Sequence, residues 1–394
     1  MNSSQDEDRE PARVMFLYWG RRGLTQFSLE TAHAALADKR IAATISVSRQ
    51  NESFARFEEL GPAIFPVDTF ADDFGALTQA WRLPLLRQQL LSRLCQDRTQ
   101  AVIDLMPHVW SSFMIPAIRR TGARYVAIVH DAEVHPGDYR TGWAKRFLNR
   151  SIPQADIVLT LSEAVAAQLR ATGRVRQQKL VSLLHPDLRY GRTQPNRQSQ
   201  LDAPLKLLFF GRIMAYKGLP LFLDAVEILR AEGLPIEIGI FGEGALGASA
   251  KRLSAMGAEV VNRWLTETEI EAILNRFHAI VLSHIEASQS GVASTALGAG
   301  LPVIATPVGG LVEQITDGKT GVLAQSTDAH ALAAAIKRLL LNPVLYRAIC
   351  QNIVESGRQR SMARFVETCV SHAIDTGVSK ADELGPTMTC DDST

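Results

Sequence analysis

The sequence predicts an α/β protein built from two doubly wound, parallel-sheet domains that face a cleft. Three observations predict it. The chain has 394 residues, more than one ordinary domain holds. Apolar runs of strand length alternate with longer amphipathic stretches, the pattern of a parallel sheet covered by helices. This alternation runs twice, on either side of a polar stretch at 191–204 that contains Pro195 and Pro204.

The acidic, polar residues 1–12 read as a disordered tail. A buried-type strand at 14–19 leads into a loop at 20–23 and an amphipathic helix at 25–36. The next strand is 41–47. Helical patterns follow at 54–60 and 77–95, the second interrupted at Pro84, since proline removes a donor and crowds the preceding turn. This rod is partly apolar and carries Arg82, Arg87 and Arg93. Strands at 101–105, 125–129, 157–160 and 180–184 alternate with helices at 143–150 and 162–172, the latter capped by Ser162. Residues 13–190 therefore form the first domain and 191–204 the linker. The second alternation places strands at 205–210, 236–241, 258–261, 279–283, 303–305 and 322–323. Its helices are 218–232, 248–255, 266–276, 294–299 and 329–340, with 343–372 helical in two pieces. The second domain is 205–360, a helix at 361–378 crosses back to the first, and 379–394 is a disordered tail.

Hydrophobic residues make up 46% of the chain and charged residues 21%, enough for sizeable cores. A net charge of +1 argues against general nucleic-acid binding. The charge is uneven: residues 1–200 hold 26 Lys+Arg against 20 Asp+Glu, and the remainder 16 against 21. A mildly basic first half suits an anionic acceptor or an anionic membrane surface. The four cysteines (Cys95, Cys350, Cys369, Cys390) show no CxxC spacing, so no metal or redox motif is supported and a reducing compartment is expected. No apolar run approaches the roughly 20 residues of a membrane span, and the N-terminus is unlike a signal peptide. A cytoplasmic protein is expected, with peripheral contact to the inner membrane face.

The richest stretch is Ile285-Glu286-Ala287-Ser288-Gln289-Ser290-Gly291-Val292, followed by a helix of small residues that Gly300-Leu301-Pro302 stops. A helix N-terminus after a strand offers backbone N–H groups to an anion. A carboxylate at its lip, Glu286, can grip hydroxyls. One anion site beside one hydroxyl-gripping acid suits a nucleotide-sugar.

Phe210-Gly211-Arg212-Ile213-Met214-Ala215-Tyr216-Lys217-Gly218, Phe241-Gly242-Glu243-Gly244, the stretch 286–306 and Gly309-Gly310-Leu311-Val312-Glu313 together resemble the retaining glycosyltransferase family 4, of the GT-B fold. In the first half, the stretch 20–30, His130-Asp131 with His135-Pro136-Gly137, and Ser162-Glu163 resemble the same family. The order and spacing of these motifs carry the resemblance, over about residues 14–365. It implies two Rossmann-like domains and retaining, metal-independent transfer of a hexose. The donor would be a nucleotide-diphospho-sugar, a substrate and not a resident cofactor. The acceptor would be a glycan or a polyprenyl-diphosphate-linked glycan.

On that resemblance Arg212 and Lys217 stabilise the diphosphate leaving group, as two fixed cations standing in for a divalent ion. Glu286 and His130 lie at the donor sugar. Gln289, Ser290, Gly291 and Val292 offer amides to the phosphates, and Gly291 permits close approach. Gly20 and Gly23 flank a loop that approaches donor phosphates and acceptor, with Arg21 and Arg22 inside it. Gly211, Gly242 and Glu243 lie by the nucleotide, Trp264 or Leu265 covers the base, and Gly309 and Gly310 shape the turn facing the phosphates.

The chain departs from the family at one point. A second glutamate normally grips the ribose; counting on from Glu286 gives Ser294, and counting back from Gly300-Leu301-Pro302 gives Thr295. A hydroxyl bonds a ribose more weakly than a carboxylate does. The Glu-Ala-Ser-Gln-Ser-Gly loop resembles a branch of the family that often lacks this acid. The departure keeps a second reading open, a weak or inactive GT-B-fold binding subunit of a glycan-assembly complex. A dinucleotide-dependent dehydrogenase would need Gly-x-Gly-x-x-Gly after the first strand, which Gly20-Arg21-Arg22-Gly23 does not supply.

Overall fold

The computed structural model describes residues 10–132, 150–173, 175–176, 179–191, 201 and 204–374. Among these, two parallel sheets form. The first has seven strands: β1 (Ala12–Tyr18), β2 (Ile41–Ser48), β3 (Ile64–Val67), β4 (Ala101–Asp104), β5 (Arg124–Val129), β6 (Ile157–Thr160) and β7 (Leu180–Ser182), in the order β3-β2-β1-β4-β5-β6-β7. The second has six: β8 (Leu205–Phe210), β9 (Ile236–Phe241), β10 (Glu259–Val261), β11 (Ala279–Leu282), β12 (Val303–Ala305) and β13 (Gly321–Leu323), in the order β10-β9-β8-β11-β12-β13. Both orders are doubly wound. The winding reverses between β1 and β4, where Val14 pairs with Ala101, and between β8 and β11, where Leu207 pairs with Ala279. Loops leaving the carboxyl ends of strands at such reversals form a crevice that receives ligands.

The first domain's helices are α1 (Thr25–Ala37), α2 (Phe54–Glu58), α3 (Asp73–Thr78), α4 (Leu83–Gln96), α5 (Ser111–Arg120) and α6 (Glu163–Ala171). Ser162 caps α6, accepting from the Val165 amide at 3.2 Å. The second domain adds α7 (Leu219–Ala231), α8 (Ser249–Ala255), α9 (Glu267–Arg276), α10 (Gly291–Gly298), α11 (Leu311–Gln314), α12 (Ala329–Leu340) and α13 (Pro343–Ser356). The last helix, α14 (Met362–Ile374), packs Phe365, Val366, Cys369 and Ala373 among Phe16, Phe27 and Ile45 of the first domain. The chain thus passes between domains again at 357–361, close to its passage after β7. A buried ion pair ties the two passages: Arg360 Nε lies 2.9 and 3.1 Å from the carboxylate oxygens of Asp187, and the Asp187 amide donates to the Arg360 carbonyl at 2.7 Å. Removing one partner of such a pair costs about 3–5 kcal/mol, because the other charge stays buried.

Several elements differ from the sequence reading. Pro84 does not interrupt a helix; it occupies the first turn of α4, where its missing N–H would have no partner anyway. A 3₁₀ turn, Ala80–Arg82, separates α3 from α4. The strand Ile64–Val67 escapes detection because Pro66 lies in it; it is an edge strand, where proline is tolerated. The helix Ser111–Arg120 carries Pro116 inside it. The small-residue helix begins at Gly291, not at 294, so its first turn lies inside the Glu-Ala-Ser-Gln-Ser-Gly loop. All but Arg150 of the expected helix at 143–150, most of the linker, His135-Pro136-Gly137, residues 1–9 and the C-terminal tail fall outside the described residues, and Ala12, expected in the first tail, begins β1. No helix among the described residues is long and apolar enough to cross a membrane.

Candidate functional site

The site is built first from glycines. Past the ends of β8 and β9 the two chains continue side by side: the Gly211 amide donates to the Phe241 carbonyl at 2.9 Å and the Ile213 amide to the Glu243 carbonyl at 2.8 Å. A Cβ on Gly242 would lie 2.0 Å from the Gly211 carbonyl oxygen. The turn then closes at Gly218, whose φ of 67° only glycine adopts without strain, and whose Cβ would meet the Ser283 carbonyl oxygen at 1.9 Å. Ser283 Oγ is 3.0 Å from the Lys217 carbonyl and 2.9 Å from that of Gly218, pinning this turn to the end of β11.

That turn carries Lys217. Its ammonium lies over Gly211, 3.2 Å from where a Cβ there would be, and the same point is 2.9 Å from a methyl of Val292 at the start of α10. The lysine is buried. Burial first, then the neighbouring Arg212, lowers its pKa to about 8. Arg212 itself is exposed, at the start of the same turn. A desolvated lysine and an arginine at the reversal point, beside a helix N-terminus, form a site for a multiply charged anion.

Of the four amides proposed for phosphates, Ser290's is engaged. It donates to Gln314 Oε1 at 2.7 Å, and Gln314 Nε2 returns a bond to the Ser290 carbonyl at 3.2 Å. Ser290 Oγ accepts from the Ala293 amide at 3.2 Å as the cap of α10. Gly291 and Val292 supply the first two amides of α10, which have no intrahelical acceptor. The loop 286–290 is clamped by the double glycine: a Cβ on Gly309 would lie 1.7 Å from the Ala287 carbonyl oxygen, and one on Gly310 2.3 Å from that of Ser288. Glu286 is exposed at the lip.

The two residues standing where a second glutamate was expected both have other work. Ser294 Oγ is 2.7 Å from His185 Nδ1 and 3.3 Å from Gln314 Nε2, and Thr295 Oγ1 donates to the Gly291 carbonyl at 2.8 Å. Leu265 is buried in the second core, while Trp264 beside it is 52% exposed. Glu243 is exposed and contributes its carbonyl to the β8–β9 extension.

From the first domain, Gly20 and Gly23 bound the loop after β1. A Cβ on Gly20 would press on Met106 at 2.4 Å, whereas Gly23 has a φ of 83° and nothing within 4 Å of a Cβ. Within this loop Arg21 and Arg22 pair with Glu52 at 3.2 and 2.5 Å, and the Arg22 guanidinium stands 5.9 Å from the Trp264 ring across the cleft. His130 is buried at the end of β5, with Nε2 2.9 Å from the Leu105 carbonyl and its ring edge-on to Phe27.

Sequence reasoning gave no interdomain role to the residues that join the domains beside this site. The Glu313 carboxylate accepts from the amides of Glu163 at 2.5 Å and Ala164 at 2.8 Å, so it sits on the N-terminus of α6 where a negative charge is favoured. Ser162 Oγ donates to the Ser288 carbonyl at 2.7 Å, and Ser288 Oγ donates to the Asp131 carboxylate. The loop 286–290 of one domain is therefore held at Ser288 by two residues of the other, Ser162 and Asp131.

Residues 204–342 match the family model described as glycosyl transferases group 1. Over a longer span the chain is 27% identical to a glycogen synthase of Mycobacterium tuberculosis, across 75% of this chain and 73% of that one. It is 24% identical to the putative colanic acid biosynthesis glycosyltransferase WcaL of Salmonella typhimurium, across 72% and 75%. Among solved structures, Anabaena HepE in complex with UDP and glucose superposes with a TM-score of 0.68 at 15% identity, covering 92% of this chain and 99% of that one. The fold is GT-B, and the likenesses support a glycosyltransferase.

Proposed function

We propose that the protein is a retaining, metal-independent glycosyltransferase that moves a hexose from a nucleotide-diphospho-sugar to a glycan or lipid-linked glycan acceptor. The observation that carries this reading is the buried Lys217 ammonium beside Arg212 and the first turn of α10. The bond between the anomeric carbon and the β-phosphate oxygen breaks, and negative charge grows on that oxygen. Lys217 is a cation already desolvated, and Arg212 stands beside it, so the pair stabilises the growing charge. The amides of Gly291 and Val292 add to them. Glu286 orients the sugar through its hydroxyls, and His130 borders it from the other domain. The acceptor oxygen bonds to the anomeric carbon on the face the diphosphate leaves, and its proton passes to the leaving phosphate oxygen.

The test is a thermal-shift screen against UDP, GDP, ADP and their common sugar conjugates, followed by measured release of the diphosphate. A ligand that binds only the folded state raises its melting temperature. Stabilisation by one base series, with turnover, supports the reading. One observation favours the binding-subunit alternative: Ser294 and Thr295 are hydrogen-bonded within the protein and offer the ribose no carboxylate. Nucleotide-dependent stabilisation without turnover on any acceptor would move the assignment there.

A further inference from the structure

We propose that the first domain docks on an anionic lipid bilayer through an apolar stripe formed by Phe74, Leu77, Trp81 and Leu85, flanked by Arg82 and Arg87. These four side chains are 76%, 67%, 71% and 54% exposed, although each is a residue that folding normally hides. Phe74 and Leu77 are three residues apart and share a face of α3, Trp81 stands in the 3₁₀ turn that follows, and Leu85 lies in the first turn of α4. The opposite side of α4 is spent on the core, through Leu86, Leu90 and Leu94. The rod is not a loose excursion. Asp72 caps α3 by accepting from the Gly75 amide at 2.6 Å, and the indole of Trp110 donates to the Ala76 carbonyl at 3.3 Å. The stripe is therefore presented by a fixed element.

Charge selects the occupant. From Asp72 to Gln96 the sequence has three arginines and two carboxylates; Asp72 and Asp73 both stand at the start of α3, whereas Arg82 and Arg87 stand at the α4 end of the stripe. Arg93 is paired with Asp97 at 2.7 Å. Arg82 stands 5.4 Å from the Trp81 ring centroid, and Arg87 is exposed one turn further on. Aromatic and aliphatic side chains beside arginines match the boundary between acyl chains and anionic headgroups. The stripe also adjoins the cleft: Arg21 in the loop after β1 donates to the Ala71 carbonyl just before α3. If the acceptor is lipid-linked, as proposed above, this docking would bring its headgroup to the first domain's side of the cleft; the docking itself does not depend on that acceptor.

The full chain is tested by flotation with vesicles of equimolar phosphatidylglycerol and phosphatidylcholine, and of phosphatidylcholine alone, without nucleotide-sugar. The protein is expected to float with the anionic vesicles and to be released by salt. The triple variant Phe74→Ser, Leu77→Ser, Trp81→Ser should lose at least about tenfold in partitioning. Arg82→Gln and Arg87→Gln should each lose roughly fivefold. All these positions are on the surface, so an unchanged melting temperature checks that the variants fold. Flotation of the triple variant equal to the parent's, or no flotation of the parent, overturns the proposal. So does a parent that sediments as a dimer and a triple variant that sediments as a monomer, which would give the face to a second copy. Diphosphate release from a soluble acceptor, measured in parallel, separates failure of docking from failure of the glycosyltransferase reading.

Discussion

The two sheets reverse their winding in the same way, yet the loops at their reversal points are made differently. In the second domain backbone touches backbone: Gly218, Gly242, Gly309 and Gly310 each leave less than 2.5 Å between a Cβ and a carbonyl oxygen. In the first domain side chains span the corresponding loop. Tyr18 Oη donates to the Arg22 carbonyl at 2.8 Å, Asn51 Nδ2 to that of Gly20 at 2.8 Å, and Glu52 holds both arginines. A backbone cradle fixes donors for a group common to all nucleotide-sugars. A side-chain scaffold can be re-lined without disturbing the sheet, which suits the partner that varies.

The largest test of this contrast compares cations across the cleft. Lys217→Ala and Arg212→Ala should each lower transfer by about a hundredfold or more, equivalent to roughly 3 kcal/mol of transition-state stabilisation. Arg21→Ala should cost about tenfold, expressed mainly in the KM for acceptor. Steady-state kinetics with both substrates varied decides. Equal losses on the two sides would break the comparison, and losses below about threefold at both Lys217 and Arg212 would remove the catalytic assignment.

The next effect concerns stability. Gly309→Ala puts a methyl at 1.7 Å from the Ala287 carbonyl oxygen at a φ of 46°, whereas Gly23→Ala at a φ of 83° meets nothing within 4 Å. The second change costs about 1–2 kcal/mol from the left-handed backbone alone. The first adds a clash with backbone and should cost more than about 3 kcal/mol. Chemical denaturation of both variants measures the gap, and a gap near zero would mean that the clamp on the anion loop yields.

A smaller effect is expected where the domains meet. Glu313→Gln removes the charge that two α6 amides share. It should weaken donor binding by about three- to tenfold. The amides of Glu163 and Ala164 should then exchange hydrogen faster in the nucleotide-bound protein. Unchanged exchange would mean that Ser162 and Ser288 hold the domains together without it.

Legibility in the sequence follows the same division. Strands Leu205–Phe210, Ile236–Phe241 and Val303–Ala305 were readable to the residue, because apart from Lys206 and Glu237 near their starts they carry no charge and are largely buried on both faces. Proline hid the edge strand Ile64–Val67 and misplaced a break at Pro84, since its effect depends on whether the lost N–H had a partner. The residues around Lys217 were named through the family resemblance, which short stretches after β8, β9 and β11 carry. Glu313 could not be given a role, because the amides it binds lie 150 and 149 residues away. Trp264 and Leu265 could not be told apart, since adjacent side chains of a loop differ in burial only once the core is assembled. Ser290's amide looked available until Gln314 closed on it from α11.

The finest test uses the proton on Lys217. Burial and Arg212 bring its pKa down to about 8, from the 10.5 of an unperturbed lysine. Below that pH the amine is a cation and can stabilise the leaving diphosphate. Above it the amine is neutral and the contribution is lost. kcat/KM for the donor, which reports the free enzyme, should therefore fall with an alkaline limb near pH 8. Bound diphosphate adds negative charge beside the amine and raises its pKa again. Binding at pH 8 to 9 should then take up a fraction of a proton, seen as a binding enthalpy that changes with the ionisation enthalpy of the buffer. Arg212→Gln removes the like charge and should move the free-enzyme limb upward by a fraction of a unit. A limb that stays near pH 8 in Lys217→Arg would assign the titration to another group and detach the low pKa from the cradle.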